Sequence, residues 1–319
     1  MKNLFQIIII NIFIVFLLGC STAPEQTDSV SEKKKLAAEY TVYGNDAFNQ
    51  GLYDRALDFF WLALAHSISV DNEWGIANAY NSIGSVYMAQ GKYKDAMDKF
   101  NTAYTIAQKV NHPVLLAQTT IKIGEVFLNN GELDKAKEYF TEALKHENKG
   151  VPEEDLAILY HNMGSVLKHD NEPKQAIKYI EKALDINLKL KRFEEVASNY
   201  YMLSSLYSAE ENFNKAFNYA QKALEYDKKM ENSLGIAQDY YAMGIISQKQ
   251  EKYEEAHEFF KKTYLIYQAL VDLYKNLAID SEIKSVLEQL LATSGQLKLE
   301  KETAEYTRQL DIIKIRISP

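Results

Sequence analysis

Tyr80-Asn81-Ser82-Ile83-Gly84-Ser85-Val86-Tyr87, the break Gln90-Gly91-Lys92, and Tyr93-Lys94-Asp95-Ala96-Met97-Asp98-Lys99-Phe100-Asn101-Thr102-Ala103-Tyr104 decide the fold. In the first stretch Tyr80, Ile83, Gly84 and Tyr87 recur at the i, i+3, i+4, i+7 spacing of one helical face. In the second, Tyr93, Ala96, Met97, Phe100, Ala103 and Tyr104 form another such stripe. Gln90-Gly91-Lys92 interrupts the two, so the segment reads as a pair of short helices. Small residues at Gly84 and Ala96 let the helices approach, and Tyr80 and Phe100 are expected to fill space against a neighbouring pair.

The pair is repeated. Gly44, Gly84, Gly124, Gly164 and Gly244 stand at multiples of 40 residues, with Ser204 at the missing place. Twelve residues after each come Ala56, Ala96, Ala136, Ala176, Ala216 and Ala256, and seven further on Ala63, Ala103, Ala143, Ala183, Ala223 and then Thr263. Between them lie Phe60, Phe100, Phe140, Ile180, Ala220 and Phe260, and four residues before the glycine Tyr40, Tyr80, Thr120, Tyr160, Tyr200 and Tyr240. Registered self-similarity of this kind marks a solenoid, because one helix pair cannot bury both of its stripes and must stack on the next. Pro173 falls in the first turn of a second helix, where its missing N–H costs little; Pro113 and Pro152 are read into connections between units. The fifth unit, with Ser204 and Ala220 at signature places, is expected to pack more loosely.

These residues resemble the tetratricopeptide repeat, whose pattern of an aromatic, Leu-Gly, Tyr, Ala, an aromatic and Ala is matched by Tyr80, Ile83-Gly84, Tyr87, Ala96, Phe100 and Ala103. The likeness covers residues 37–276 as six units of 40 residues, longer than the usual period, and without the usual closing proline. It implies an all-α, right-handed α-solenoid of about six helix pairs. Residues 277–319 fall out of register, yet Ile283, Val286, Leu287, Leu290 and Leu291 keep a helical stripe, Gly295 breaks it, and Leu297–Ile313 resumes it. They read as a degenerate capping pair, with the run Ile312-Ile313-Lys314-Ile315-Arg316-Ile317 either folding back upon it or marking a contact.

The amino-terminus is of another kind. Lys2 is the only charge before Glu25, and Leu4 to Leu18 is apolar except for Gln6 and Asn11. Fifteen helical residues reach about 22 Å, short of a hydrocarbon core of about 30 Å, so residues 1–19 read as a signal peptide rather than a spanning helix. The run Leu17-Leu18-Gly19-Cys20 resembles the lipobox of bacterial lipoproteins, which implies cleavage before Cys20, the chain's only cysteine, and its lipidation. Residues 20–36 would then be the lipidated cysteine and a polar tether, with Lys33-Lys34-Lys35 a solvated first helical turn. Ser21 in place of Asp favours, by the sorting rule of Gram-negative lipoproteins, the periplasmic side of the outer membrane.

Composition closes off other functions. A hydrophobic share of 47% and a charged share of 25% suit a folded body, and five prolines in 319 residues suit helices. A formal charge of −8 leaves no electrostatic footprint for nucleic acid, and a single cysteine removes every multi-cysteine metal site. Of the six histidines only His161 and His169 share a helix, about 12 Å apart, too far for one metal. Glu153-Glu154-Asp155 complements a helix N-terminus. No Ser/His/Asp order, phosphate loop or His-Glu-x-x-His motif occurs, so no enzyme, metal or cofactor is expected.

The expected work is binding. At 100° per residue, positions six and three before the glycine and one after it point away from the buried stripe, and in the resembled family that face lines the concave groove. It comprises Asn78, Asn81 and Ser85; Gln118, Ile121 and Glu125; Ile158, His161 and Ser165; Ser198, Tyr201 and Ser205; and Gln238, Tyr241 and Ile245, flanked by Lys122 and Asn162. Mostly uncharged amides and tyrosines suit the backbone and side chains of a peptide. The carboxylate clamp of chaperone-binding members is not matched, since only Asn45 and Lys122 have the right residue type. The resemblance implies a membrane-anchored scaffold for a protein or peptide, with envelope assembly or secretion as its expected setting; the alternative is a peptide- or ligand-sensing regulatory module.

Overall fold

The structure is a computed structural model that describes residues 29–274 and 277–317. All secondary structure among these residues is helical. The signal-peptide and lipobox reading, including Cys20, lies outside the described residues. No helix among the described residues is long and apolar enough to cross a membrane.

Two compact units divide the chain, residues 1–110 and 111–319. The first holds α1 (Val30–Asn49), α2 (Tyr53–Ser69), α3 (Glu73–Ala89) and α4 (Tyr93–Lys109) as two antiparallel pairs. α1 starts at Val30, so the tether read over residues 20–36 is shorter: Ser29 accepts the Glu32 amide at 3.1 Å, a side-chain cap that starts the helix early. Lys34 and Lys35 are exposed in the turns that follow. Phe60, Ala56 and Leu64 of α2 pack with Ala79, Ile83 and Val86 of α3, which joins the pairs.

The second unit holds five pairs: α5 (Pro113–Asn129) with α6 (Leu133–Leu144), α7 (Glu153–His169) with α8 (Pro173–Leu190), α9 (Phe193–Ala209) with α10 (Phe213–Lys229), α11 (Ser233–Lys249) with α12 (Tyr253–Leu273), and α13 (Asp280–Gln296) with α14 (Glu300–Ile317). Pro113 and Pro173 both open helices, where a proline costs no hydrogen bond; Pro113 is therefore not in a connection. Gly295 is the penultimate residue of α13, and the break read there falls at residues 297–299.

One turn recurs inside the pairs. Gly51, Gly91 and Gly131, then Asn171, Glu211 and Glu251, all take φ between 56° and 75°. Around Gly91 the Lys92 amide donates to Tyr87 O at 2.8 Å, and around Glu211 the Asn212 amide donates to Tyr207 O at 2.9 Å. This left-handed residue closes the helix and returns the chain antiparallel.

The registered glycines make room for the partner helix of the same pair. A Cβ on Gly84 would stand 2.5 Å from Phe100 Cε1, and Gly124 and Gly244 face Phe140 and Phe260 at the same distance. Phe100 thus fills its own pair's interior, where sequence alone placed it against a neighbour. In the fifth pair, expected to pack more loosely, Ser204 and Ala220 are both fully buried, and the Ser204 hydroxyl has no hydrogen-bond partner among the described residues.

The terminal pair α13–α14 covers α12. Tyr267 and Leu270 of α12 join Ile283, Val286, Leu287, Leu310 and Ile313 in one apolar cluster. His257, almost wholly buried, reaches Thr293 Oγ1 at 2.8 Å and Glu302 Oε2 at 2.9 Å, tying α12 to both terminal helices. Ile313 folds back as expected, while Ile315 stays 76% exposed.

Candidate binding groove

The first helices α5, α7, α9 and α11 of the second unit align like faces, because equal units place equivalent residues side by side. Polar side chains bridge them in order. Gln118 Nε2 donates to Asp155 Oδ2 at 2.8 Å, and Asn162 Nδ2 to Glu125 Oε1 at 3.3 Å. Lys122 Nζ donates to Glu125 Oε2 at 3.1 Å. His161 Nδ1 lies 2.7 Å from Asn199 Oδ1; a carbonyl oxygen only accepts, so Nδ1 carries the proton.

Burial sets the electrostatics. Desolvation pushes the Asp155 carboxyl above the usual carboxylate range, against the pull of Gln118 and Lys122. Desolvation also lowers Lys122, but Glu125 more than offsets it and the ammonium ends above its ordinary value. His161 falls below the ordinary imidazole range through burial, opposed in part by Asn199. At neutral pH the bridge therefore holds a charged Lys122 and a neutral His161.

Three recesses open along this face. The first, about 160 Å³, is bordered by Ile158, His161 and Asn162 of α7, Asn187 of α8, and Arg192 and Glu195. Asn187 is 3% exposed and its Oδ1 has no hydrogen-bond partner among the described residues. Arg192 pairs with Glu195 at the rim. The second, about 260 Å³, lies between Tyr201, Ser205 and Ser208 of α9 and Tyr241, Ile245 and Lys249 of α11. The third, about 310 Å³, takes Tyr201, Gln238, Tyr241 and Tyr267 together with Ser281, Glu282 and Ser285 of α13.

The residues read from sequence divide accordingly. Gln118, Lys122, Glu125, His161 and Asn162 are half-buried and joined to one another or to the neighbouring helix. Tyr201 and Tyr241 border two recesses each. Ile121, at 1% exposure, is a core residue packed with Leu159 and Val166 and offers nothing to a ligand; the stripe of α5 is wider than three positions per turn. Asn81 is 8% exposed and so largely withdrawn from the surface of α3, while Asn78 is half-buried. Asn78 and Asn81 belong to the first unit and are not part of these recesses. Asn187, Arg192, Glu195, Tyr267 and Glu282 were missed, although the series Ser67, Ala107, Glu147, Asn187, Asp227, Tyr267 at one register place turns polar and aromatic toward the carboxyl end. Among the described residues no three His, Cys, Asp or Glu side chains are grouped to hold a metal ion.

A family model described as tetratricopeptide repeat matches residues 75–149, 115–189, 155–229 and 195–269, overlapping windows that together span more than half of the chain. The chain belongs to the tetratricopeptide-repeat family. Among solved structures this tetratricopeptide-repeat chain is similar to the apo form of RapI, with 17% identity, a TM-score of 0.61, and coverage of 88% of this chain and 98% of that one. It is also similar to a Rap protein complexed with Competence and Sporulation Factor, with 18% identity, a TM-score of 0.56, and coverage of 88% and 75%. PilF of Pseudomonas aeruginosa matches with 16% identity, a TM-score of 0.54, and coverage of 79% and 98%. At such identities the likeness is one of fold. No curated protein matches the sequence of this tetratricopeptide-repeat chain.

Proposed function

We propose that this tetratricopeptide-repeat protein is a lipid-anchored scaffold of the bacterial cell envelope that holds an extended protein or peptide segment along the first-helix face of residues 111–319. The observation that carries the binding half is the row of three recesses on one face, each bordered by uncharged amides, hydroxyls or tyrosines beside a few charged side chains. Such surfaces pair backbone groups and admit side chains. That a Rap protein of this fold is seen with Competence and Sporulation Factor bound supports the reading. The anchor rests on the short apolar run Leu4–Leu18 and on Leu17-Leu18-Gly19-Cys20. Two acyl chains on Cys20 suffice for stable anchoring. With Ser21 next, the outer membrane is the expected destination.

Two measurements test the two halves. Cys20→Ala should leave an unprocessed precursor that takes up no fatty-acid analogue; normal maturation and labelling of the variant would end the lipoprotein reading. For the groove, proteins co-purifying from detergent-solubilised envelope should be lost with Lys122→Ala/Asn162→Ala or with Tyr201→Ala/Tyr241→Ala, each checked for unchanged helicity and melting. Full retention by both pairs would move the binding site elsewhere.

A further inference from the structure

The third recess has a character the other two lack. Three tyrosines from three different helices meet there: Tyr201 of α9, Tyr241 of α11 and Tyr267 of α12. Tyr267 is 4% exposed, and its hydroxyl forms no hydrogen bond among the described residues, although it borders the open space. The charges that act on Tyr241 and Tyr267 from neighbouring side chains are those of carboxylates, Glu288 and Glu282 respectively, while Asp239 beside Tyr201 is buried and keeps its proton at neutral pH. Glu282 sits at the mouth, exposed, and forms no ion pair among the described residues; the Ser281 hydroxyl donates to it at 2.6 Å. No lysine or arginine borders the recess.

Ring faces carry negative potential and attract a cation placed over them, most strongly where water is excluded. A guanidinium is planar, weakly hydrated, and able to stack on a tyrosine while two of its N–H groups donate to one carboxylate. A free volume of about 310 Å³ suits a single long side chain rather than a whole ligand. We infer that the recess framed by Tyr201, Tyr241, Tyr267 and Glu282 is an arginine pocket, which receives one arginine side chain of the segment bound along the groove. Gln238, on the same rim, is placed to meet the backbone that carries it. The inference rests on the groove reading and adds to it the chemistry of the occupant: a basic segment, anchored near the carboxyl-terminal end of the face.

The probe is a capped pentapeptide, acetyl-Ser-Gly-Arg-Gly-Ser-amide, with a twin in which citrulline replaces arginine and so keeps the shape without the charge. Binding to the full chain in detergent is followed by fluorine NMR of 3-fluorotyrosine, with the Tyr267 signal assigned from Tyr267→Phe. The arginine peptide should shift the Tyr267 and Tyr241 signals saturably, and the citrulline twin should bind about tenfold more weakly. Glu282→Gln, an exposed change that leaves the core intact, should weaken the arginine peptide by a similar factor and leave the twin unaffected. Equal binding of the two peptides, absence of a saturable shift, or an unchanged affinity in Glu282→Gln would each overturn the pocket. If the peptides bind equally while the groove pairs still abolish partner capture, the scaffold reading stands and only the arginine pocket falls. If arginine is distinguished but the groove pairs retain the partner, the pocket stands and the groove fails.

Discussion

A glycine on the first helix of five pairs is matched to one bulky side chain on the second helix of the same pair, and in the fifth pair of the chain both places differ. There Ser204 stands for glycine and Ala220 for phenylalanine, and both are fully buried. At this register a larger residue on the first helix goes with a smaller one on the second. Gly124→Ser should therefore destabilise by about 1–3 kcal/mol through its clash with Phe140, and Phe140→Ala by about 3–5 kcal/mol through the cavity it leaves. The double variant should lose less than the sum by about 1–3 kcal/mol in chemical denaturation. Strict additivity would remove the matched-pair account. Asp239 offers a second test. Burial first, and the neighbouring Asp227 carboxyl second, push Asp239 up to about 9. The folded chain then keeps a proton that the unfolded chain releases near the ordinary carboxylate value, so stability falls as pH rises between the two. Asp239→Asn removes this ionisation; it should stabilise the protein at about pH 8 and lose its advantage at about pH 4. Melting curves at both values decide the matter, and a parallel pH dependence in the variant would contradict it.

Element boundaries follow from the left-handed turn. Three pairs use glycine there and three use Asn171, Glu211 or Glu251. A side chain in this conformation costs about 1–2 kcal/mol relative to the right-handed one, whereas glycine is nearly indifferent. Gly91→Ala should accordingly destabilise by about 1 kcal/mol, and Glu211→Gly should do no harm or stabilise by a few tenths. Thermal melts of both variants show the asymmetry; the opposite order would mean the turn is not the constraint. Sequence revealed most helix breaks because Gly91 and its equivalents interrupt two apolar stripes. It did not reveal the early end of α6 at Leu144. That helix carries the same Ala136, Phe140 and Ala143 as its relatives, but the following Lys145–Gly150 run leaves the helix for turns before Pro152. Nor did it show that α1 begins at Val30, since the Ser29 cap lies eleven residues before Tyr40, the first registered position.

On the scale of the molecule, each compact unit has its own apolar clusters. Phe60, Ile83 and Val86 centre that of the first; Phe140, Ile180 and Leu203, and further along Phe260, Leu287 and Leu310, centre those of the second. Residues 111–319 expressed alone should keep their helical circular-dichroism signal and melt cooperatively; a gradual, non-cooperative melt would show that the second unit needs the first. The binding face was legible in outline because helical periodicity alone decides which residues turn away from the stripe. What fills the recesses was not. Asn187 and Tyr267 come from the ends of second helices, and Glu282 from a terminal pair outside the register, so no single-helix pattern brings them together.

The pairing of glycine with its own unit's ring has a consequence for how such a chain can change. Exchanging a whole unit keeps each glycine with its ring, and what remains to be satisfied is only the face the ring also shares with the next pair, as Phe60 does with Ile83 and Val86. Point changes behave in the opposite way: a new residue at the glycine place is tolerated only once its ring has shrunk, or the reverse. Change within a unit is then expected to come in coupled steps, and the pairing of Ser204 with Ala220 fits a step of that kind.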